Sequence, residues 1–118
     1  MTGRIQIKRI YEPFSIEDGF RVLVDRVWPR GLTKEKAAID LWMKEVAPSV
    51  LLRKWFNHES NKWERFYEKY IEEIKNNEAT ETLIKLCGQH KLVTLLYGAR
   101  DTEHNQAVVL LQYLNNNK

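Results

Sequence analysis

Two short stretches of this chain gather the side chains best suited to chemistry. In the first, Asp25-Arg26-Val27-Trp28-Pro29-Arg30-Gly31, two guanidinium groups, a carboxylate and an indole share one loop, with Lys34 close behind. Arg26 and Arg30 are planar, permanently charged forks that grip phosphate or carboxylate through paired N–H donors. Trp28 adds a flat face for stacking or cation–π contact. Asp25 is the preferred acid–base residue, because partial burial raises a carboxyl pKa toward neutrality, although a neighbouring arginine pulls it down. In the purely architectural alternative, Arg26 pairs with Asp25 or another acid, Trp28 fills the core, and Pro29 and Gly31 shape a turn. Of the two arginines, Arg30 is the one expected to face a ligand.

The second stretch, Gly98 to Asn105, holds Arg100, Asp101, His104 and Asn105 and follows Tyr97, whose hydroxyl is expected to reach the same place. Arg100 and the free amides of the helix expected there form a second anion-binding element. Asp101 stands just before that helix, so capping it is favoured over acid–base work. His58 is either a residue that shuttles a proton or touches a phosphate, or a helix-terminal histidine that satisfies carbonyl groups. Cys87 and His90 make one Cys-x-x-His pair. With no second pair to complete the roughly four ligands of zinc, no metal site is expected. Cys87 falls on the apolar side of its helix and reads as a small core residue. The chain contains no Gly-x-Gly-x-x-Gly, Walker A or Gly-x-Ser-x-Gly pattern. That removes the commonest dinucleotide, P-loop and hydrolase readings and leaves no cofactor specified.

These side chains need elements to carry them. Alternating apolar residues in Arg4 to Ile10 suit a strand near a sheet edge. Pro13, Asp18 and Gly19 mark a turn. Phe20 to Val24 is then β-rich, and Leu92 to Tyr97 is nearly all apolar, as a strand covered on both faces would be. A further short strand is expected around Ile39 to Trp42. Thr33 can cap a short helix through Ala38, and Ser49 one that carries Leu51, Leu52, Trp55 and Phe56 and ends near His58. Trp63, Phe66, Tyr67, Tyr70, Ile71 and Ile74 recur at helical spacing and define the clearest helix, with Asn61 and Glu64 as a capping-box-like start. Another helix is expected over Thr80 to Cys87, with Gly88 in the left-handed position after its end. The last runs over Thr102 to Tyr113 and buries Ala107, Val108, Leu110, Leu111 and Leu114, leaving Asn115 to Asn117 as a frayed tail.

Strands alternating with helices predict an α/β fold, a single three-layer domain over residues 1–118 with a small, largely parallel sheet flanked by helices. In such sheets ligands bind outside the carboxyl ends of the strands. The loops leaving Val24 and Tyr97 therefore converge if their strands are parallel neighbours.

Composition sets the outer limits. Lys and Arg number 19 against 16 Asp and Glu, a net charge of +3 with the signs interleaved, which permits an anionic partner without demanding one. At 43% hydrophobic and 30% charged, the chain has the balance of a folding globular protein. No run approaches the roughly 18 apolar residues of a membrane span. The charges alternating through Met1 to Ile10 are unlike a signal peptide, and the single cysteine forms no internal disulfide. A cytoplasmic setting without membrane contact is the expectation.

Four motifs in order carry a resemblance: Val24-Asp25-Arg26-Val27-Trp28-Pro29-Arg30-Gly31, Trp42-Met43-Lys44-Glu45-Val46-Ala47-Pro48-Ser49, Leu52-Arg53-Lys54-Trp55-Phe56-Asn57-His58 and Val93-Thr94-Leu95-Leu96-Tyr97. Together they resemble the YeaO-like proteins, domain-of-unknown-function family 488 (DUF488), from about Ile7 to Leu114. The resemblance implies a small bacterial or archaeal single-domain α/β protein and brings no established activity with it. One departure is Gly98, where the family pattern leads one to expect Ala in a Tyr-Ala-Ala segment. The residues themselves point to binding of a small anionic or nucleotide-like ligand at the carboxyl ends of the strands, with enzymatic turnover left open. The alternatives are a nucleic-acid-associated module using the same Arg, Lys and Trp side chains, and a structural or regulatory adaptor without a small ligand.

Overall fold

The structure, a computed structural model, describes residues 4–117. Residues 1–3 and 118, included above in the reading of the amino terminus and in the domain bounds, lie outside the described residues. Four strands form a wholly parallel sheet among the described residues: β1 (Arg4–Arg9), β2 (Phe20–Leu23), β3 (Leu41–Trp42) and β4 (Leu92–Tyr97). Their spatial order is β1-β4-β2-β3. β1 lies at an edge, as its alternation suggests, and β2 and β4 are central neighbours with Val22 opposite Leu95. Gly19, at φ 68, turns the chain into β2. A Cβ there would collide with the carbonyl oxygen of Leu92, so the close approach of the two strands requires glycine.

Among the described residues five α-helices cover this sheet: α1 (Lys34–Ala37), α2 (Val50–Phe56), α3 (Trp63–Lys75), α4 (Glu78–Gln89) and α5 (Gln106–Asn116). Strand side chains alternate between faces, which sorts the core into two clusters. Val22, Val24, Val93 and Leu95 pack with Leu52, Phe66, Leu83 and Leu110 from α2 to α5. Leu23 and Leu96 pack on the opposite face with Ile10 and Ala37, beneath Trp28, Leu32 and Trp42. The three layers are therefore uneven, with four helices on one side and the short α1 plus loops on the other. None of the helices among the described residues is long and apolar enough to cross a membrane.

Thr33 and Ser49 cap α1 and α2 by accepting from the amides of Lys36 and Leu52, at 3.2 and 3.1 Å. Phe66, Tyr70 and Ile74 of α3 are buried and Trp63 is half-buried against them. Other boundaries differ from the expectation. Asn61 and Glu64 form no capping box, because a one-turn 3-10 helix, Ser60–Lys62, leads directly into α3. Its own carbonyls take the amides that a side-chain cap would serve: Lys62 N–H donates to Glu59 and Trp63 N–H to Ser60. α4 begins earlier than Thr80, capped by Asn77. It also runs through Gly88, which is helical rather than left-handed, and His90 leaves in an extended conformation to stack on Phe20 at 4.1 Å. α5 starts later than Thr102 and absorbs Asn115 and Asn116, and Val109 is buried where Val108 and Leu111 are only half-buried.

The thinner face also hides charge. Arg21 on β2 is 1% exposed and pairs with Asp18, while its Nε and Nη2 donate to the carbonyls of Ala38 and Ala37 at 2.9 and 2.8 Å. Lys8 of β1 reaches the same carboxylate at 3.0 Å, and the Ser15 amide donates to it at 3.1 Å. The Asp18 carbonyl accepts from Thr94 Oγ1, which in turn accepts from Gln6 Nε2 at 2.8 Å. Strands β1, β2 and β4 thus share one buried polar network.

Candidate functional site

Because β2 and β4 are parallel neighbours, the loop after Val24 and the loop after Tyr97 leave the same edge of the sheet. A cleft of about 370 Å³ opens there, closed on its far side by α2 and α3. Arg26, Arg30, Arg53, His58 and His104 border it, with Tyr11, Trp28, Phe56 and Phe66 as its apolar walls. Asp25 is the only carboxylate in the lining among the described residues.

Asp25 holds the two loops together. Its Oδ2 accepts the Gly98 amide at 2.8 Å, and its Oδ1 accepts the side-chain amide of Gln106 from the first turn of α5. Its backbone carbonyl accepts Trp42 Nε1 at 2.7 Å. A Cβ on residue 98 would lie 2.9 Å from Asp25 Oδ2, so an alanine there would press on the carboxylate. Burial pushes the Asp25 carboxyl up to about 6, against the Gly98 and Gln106 hydrogen bonds and the Arg53 charge, all of which pull it down.

The structure brings Asp25, Arg26, Trp28 and Arg30 together. Arg26 does not pair with Asp25; its Nε and Nη2 donate to the carbonyls of Pro48 and Ala47 at 2.9 and 3.1 Å and anchor the approach to α2. Trp28 is half-buried, donates from Nε1 to the Leu32 carbonyl at 2.8 Å and meets Trp42 edge-on at 5.4 Å. It therefore serves the core on one side and borders the cleft on the other. The Arg30 side chain is exposed, and its backbone carbonyl accepts the Tyr11 hydroxyl at 2.8 Å.

Tyr97, Arg100 and Asp101 lie outside the lining. Tyr97 is 3% exposed because it continues the alternation of β4 into the helix-covered core. Arg100 points from an exposed turn. Asp101 does not cap α5: its carboxylate staples the turn before the helix, accepting the amides of Glu103 and His104 at 2.9 and 3.0 Å and pairing with His104 Nδ1 at 2.9 Å. These contacts, the Glu103 amide foremost, hold its carboxyl below the usual carboxylate range. Asn105 caps the helix instead, accepting from Val108. The Val108 amide is thereby engaged, and Arg100 lies outside the lining of the cleft.

Arg53, Tyr11 and Gln106 were not singled out from sequence, whereas His104, named with the second loop, does border the cleft. Arg53 stands inside one of the quoted motifs and follows the buried Leu52, so its place beside the cleft depends on how α2 is rotated. His58 does reach the cleft, from a left-handed backbone (φ 56) directly after left-handed Asn57 (φ 45). Two successive non-glycine residues in that region are uncommon and mark a loop held by its surroundings.

The Asp25 shift has a measurable consequence for stability. A carboxyl whose folded pKa exceeds its unfolded value stabilises the fold fully below pH 3.8, and that contribution is lost as pH rises through about 6. Asp25→Asn, which stays neutral, should therefore be more stable than the wild type at pH 8, by about 1–3 kcal/mol, and match it only once the pH falls below 3.8. Urea melts of both proteins across this range measure the difference, and an Asp25→Asn protein less stable at pH 8 would contradict it.

A family model described as the inactive DUF488-N3 subclade matches residues 4–118. The chain is similar to the uncharacterized protein YeaO of Escherichia coli K12, 42% identical over 110 residues, which cover 93% of this chain and 96% of that protein. It is likewise similar to the uncharacterized protein Rv3073c of Mycobacterium tuberculosis H37Rv, 39% identical over 112 residues that cover 95% and 94% of the two chains. No solved structure matches it significantly. With a match across nearly every residue that builds the sheet, its helices and the cleft, the chain belongs to the DUF488 family, in the inactive DUF488-N3 subclade.

Proposed function

We propose that the cleft binds a small anionic ligand, such as a phosphate- or carboxylate-bearing or nucleotide-like molecule, at the carboxyl ends of β2 and β4. The observation that carries this reading is a charge imbalance. Arg26, Arg30 and Arg53 all border the cleft, and none has a carboxylate within ion-pair distance among the described residues. Cations gathered around a concavity focus a positive potential that an anion complements. The cleft volume also falls in the range of small-molecule sites. Half-buried Trp28 offers no broad stacking platform, which favours a compact ligand over a nucleic-acid strand. Binding without turnover agrees with the description of the matched subclade as inactive.

Thermal melts with inorganic phosphate and with a nucleoside monophosphate test the reading. Both should raise the melting temperature of the wild type. Arg30→Ala should remove most of that rise while changing the unliganded protein by no more than about 0.5 kcal/mol, since the side chain is exposed. Destabilisation of the unliganded Arg30→Ala protein by several kcal/mol would instead give the loop a structural role. Affinity that collapses with added salt would favour the nucleic-acid reading.

A further inference from the structure

The one carboxylate of the cleft has no counterion. Arg26, its neighbour in sequence, turns its guanidinium to the carbonyls of Pro48 and Ala47. Arg53 influences Asp25 only through its field, and no cation lies within ion-pair distance of it among the described residues. Both hydrogen bonds to the carboxylate come from neutral amides, those of Gly98 and Gln106. Each carboxylate oxygen has two lone pairs, so each retains acceptor capacity. A partly buried carboxylate without a paired cation is disfavoured, and a positive group that reaches it relieves the penalty.

Arg30 and Arg53 show the opposite deficit in the same cavity, two guanidinium groups without an anion. A purely anionic ligand would answer them but would bring further negative charge toward Asp25. A dipolar one answers both. Building on the anion-binding reading, we propose that the cleft accepts a small zwitterion whose phosphate or carboxylate lies at Arg30 and Arg53 and whose protonated amine donates to Asp25. The aromatic walls formed by Tyr11, Trp28 and Phe56 suit the apolar stretch between the two charges.

Calorimetric titration with 3-aminopropyl phosphate and propyl phosphate, two probes that differ only in the ammonium group, tests this directly. The wild type should bind the amine-bearing probe roughly tenfold or more tightly, the usual return for a charge-assisted hydrogen bond. In Asp25→Asn that preference should shrink to about twofold or less, while propyl phosphate binds the variant at least as well as the wild type. Arg30→Ala should weaken both probes by the same factor. Equal wild-type affinity for the two probes would overturn the zwitterion inference and leave the anion site standing. Failure of both probes to bind at millimolar concentration would overturn the anion site and this inference with it. Thermal melts of the variants, run alongside, separate loss of binding from loss of fold.

Discussion

Asp18→Ala should lower folding stability by about 3–5 kcal/mol, read as a shifted midpoint in urea at pH 7. The substitution would strand the guanidinium of Arg21, which is 1% exposed, without the one carboxylate that pairs with it among the described residues, and would take away the ion pair of Lys8 beside it. The carbonyls of Ala37 and Ala38 still accept from Arg21, but neutral acceptors do not cancel a buried charge. Acid should act on the same network. Burial pushes the Asp18 carboxyl up, but hydrogen bonds from Lys8, the Ser15 amide and Arg21 outweigh it and hold the group below its ordinary 3.8. Its contribution is therefore present above that value and lost as pH falls through the lower folded pKa. The wild type should weaken in strong acid, and Asp18→Ala should show less of that weakening. A loss below about 1 kcal/mol at pH 7 would mean that the network relaxes or admits water.

Phe66→Ala should cost about 3–5 kcal/mol through the cavity it opens, a fall in melting temperature of roughly 10–25 °C. Phe66 is 2% exposed and stacks on Phe56 at 4.3 Å, with Trp63 at 5.6 Å and Tyr70 at 5.7 Å. Tyr70 anchors the cluster by donating to the Val46 carbonyl. Because Phe66 and Phe56 also wall the cleft, the variant should bind phosphate-bearing probes more weakly even at temperatures where it remains folded. Melts and titrations on the same preparation check both parts. A loss below about 1 kcal/mol would show that α3 repacks without this ring.

The fold was legible wherever one periodicity dominated. Leu92 to Tyr97 read as a doubly covered strand and is one, and the stripe from Trp63 to Ile74 faces the core. Boundaries failed where two residues competed for one role. Asp101 and Asn105 both suit a helix start, and the nearer carboxylate to β4 took the turn while the amide took the cap. Gly88 carries a stop signal, yet α4 continues through it to Gln89, and the extended His90 then stacks on Phe20. The cleft was half legible. The Asp25 to Arg30 loop follows from the end of β2, which local pattern reveals. Arg53 and Gln106 arrive from helices whose rotation depends on packing, and Tyr97 was lost to the core because strand alternation at its last residue points it inward.

The strand order has a consequence for how the chain assembles. β4 lies between β1 and β2, so until residues 92–97 are available β1 lacks its native neighbour and β2 has only the two-residue β3 to pair with. Through most of synthesis β1 is a strand without a partner and β2 is paired along one edge only, and the helices α2 to α4 form before the sheet against which they pack is complete. Closing such distant pairings is entropically slow. The unpaired apolar strand edges are meanwhile open to other chains. Residues in β4 should therefore matter most for the yield of folded protein from the ribosome, since the last strand made is the one that joins β1 to β2.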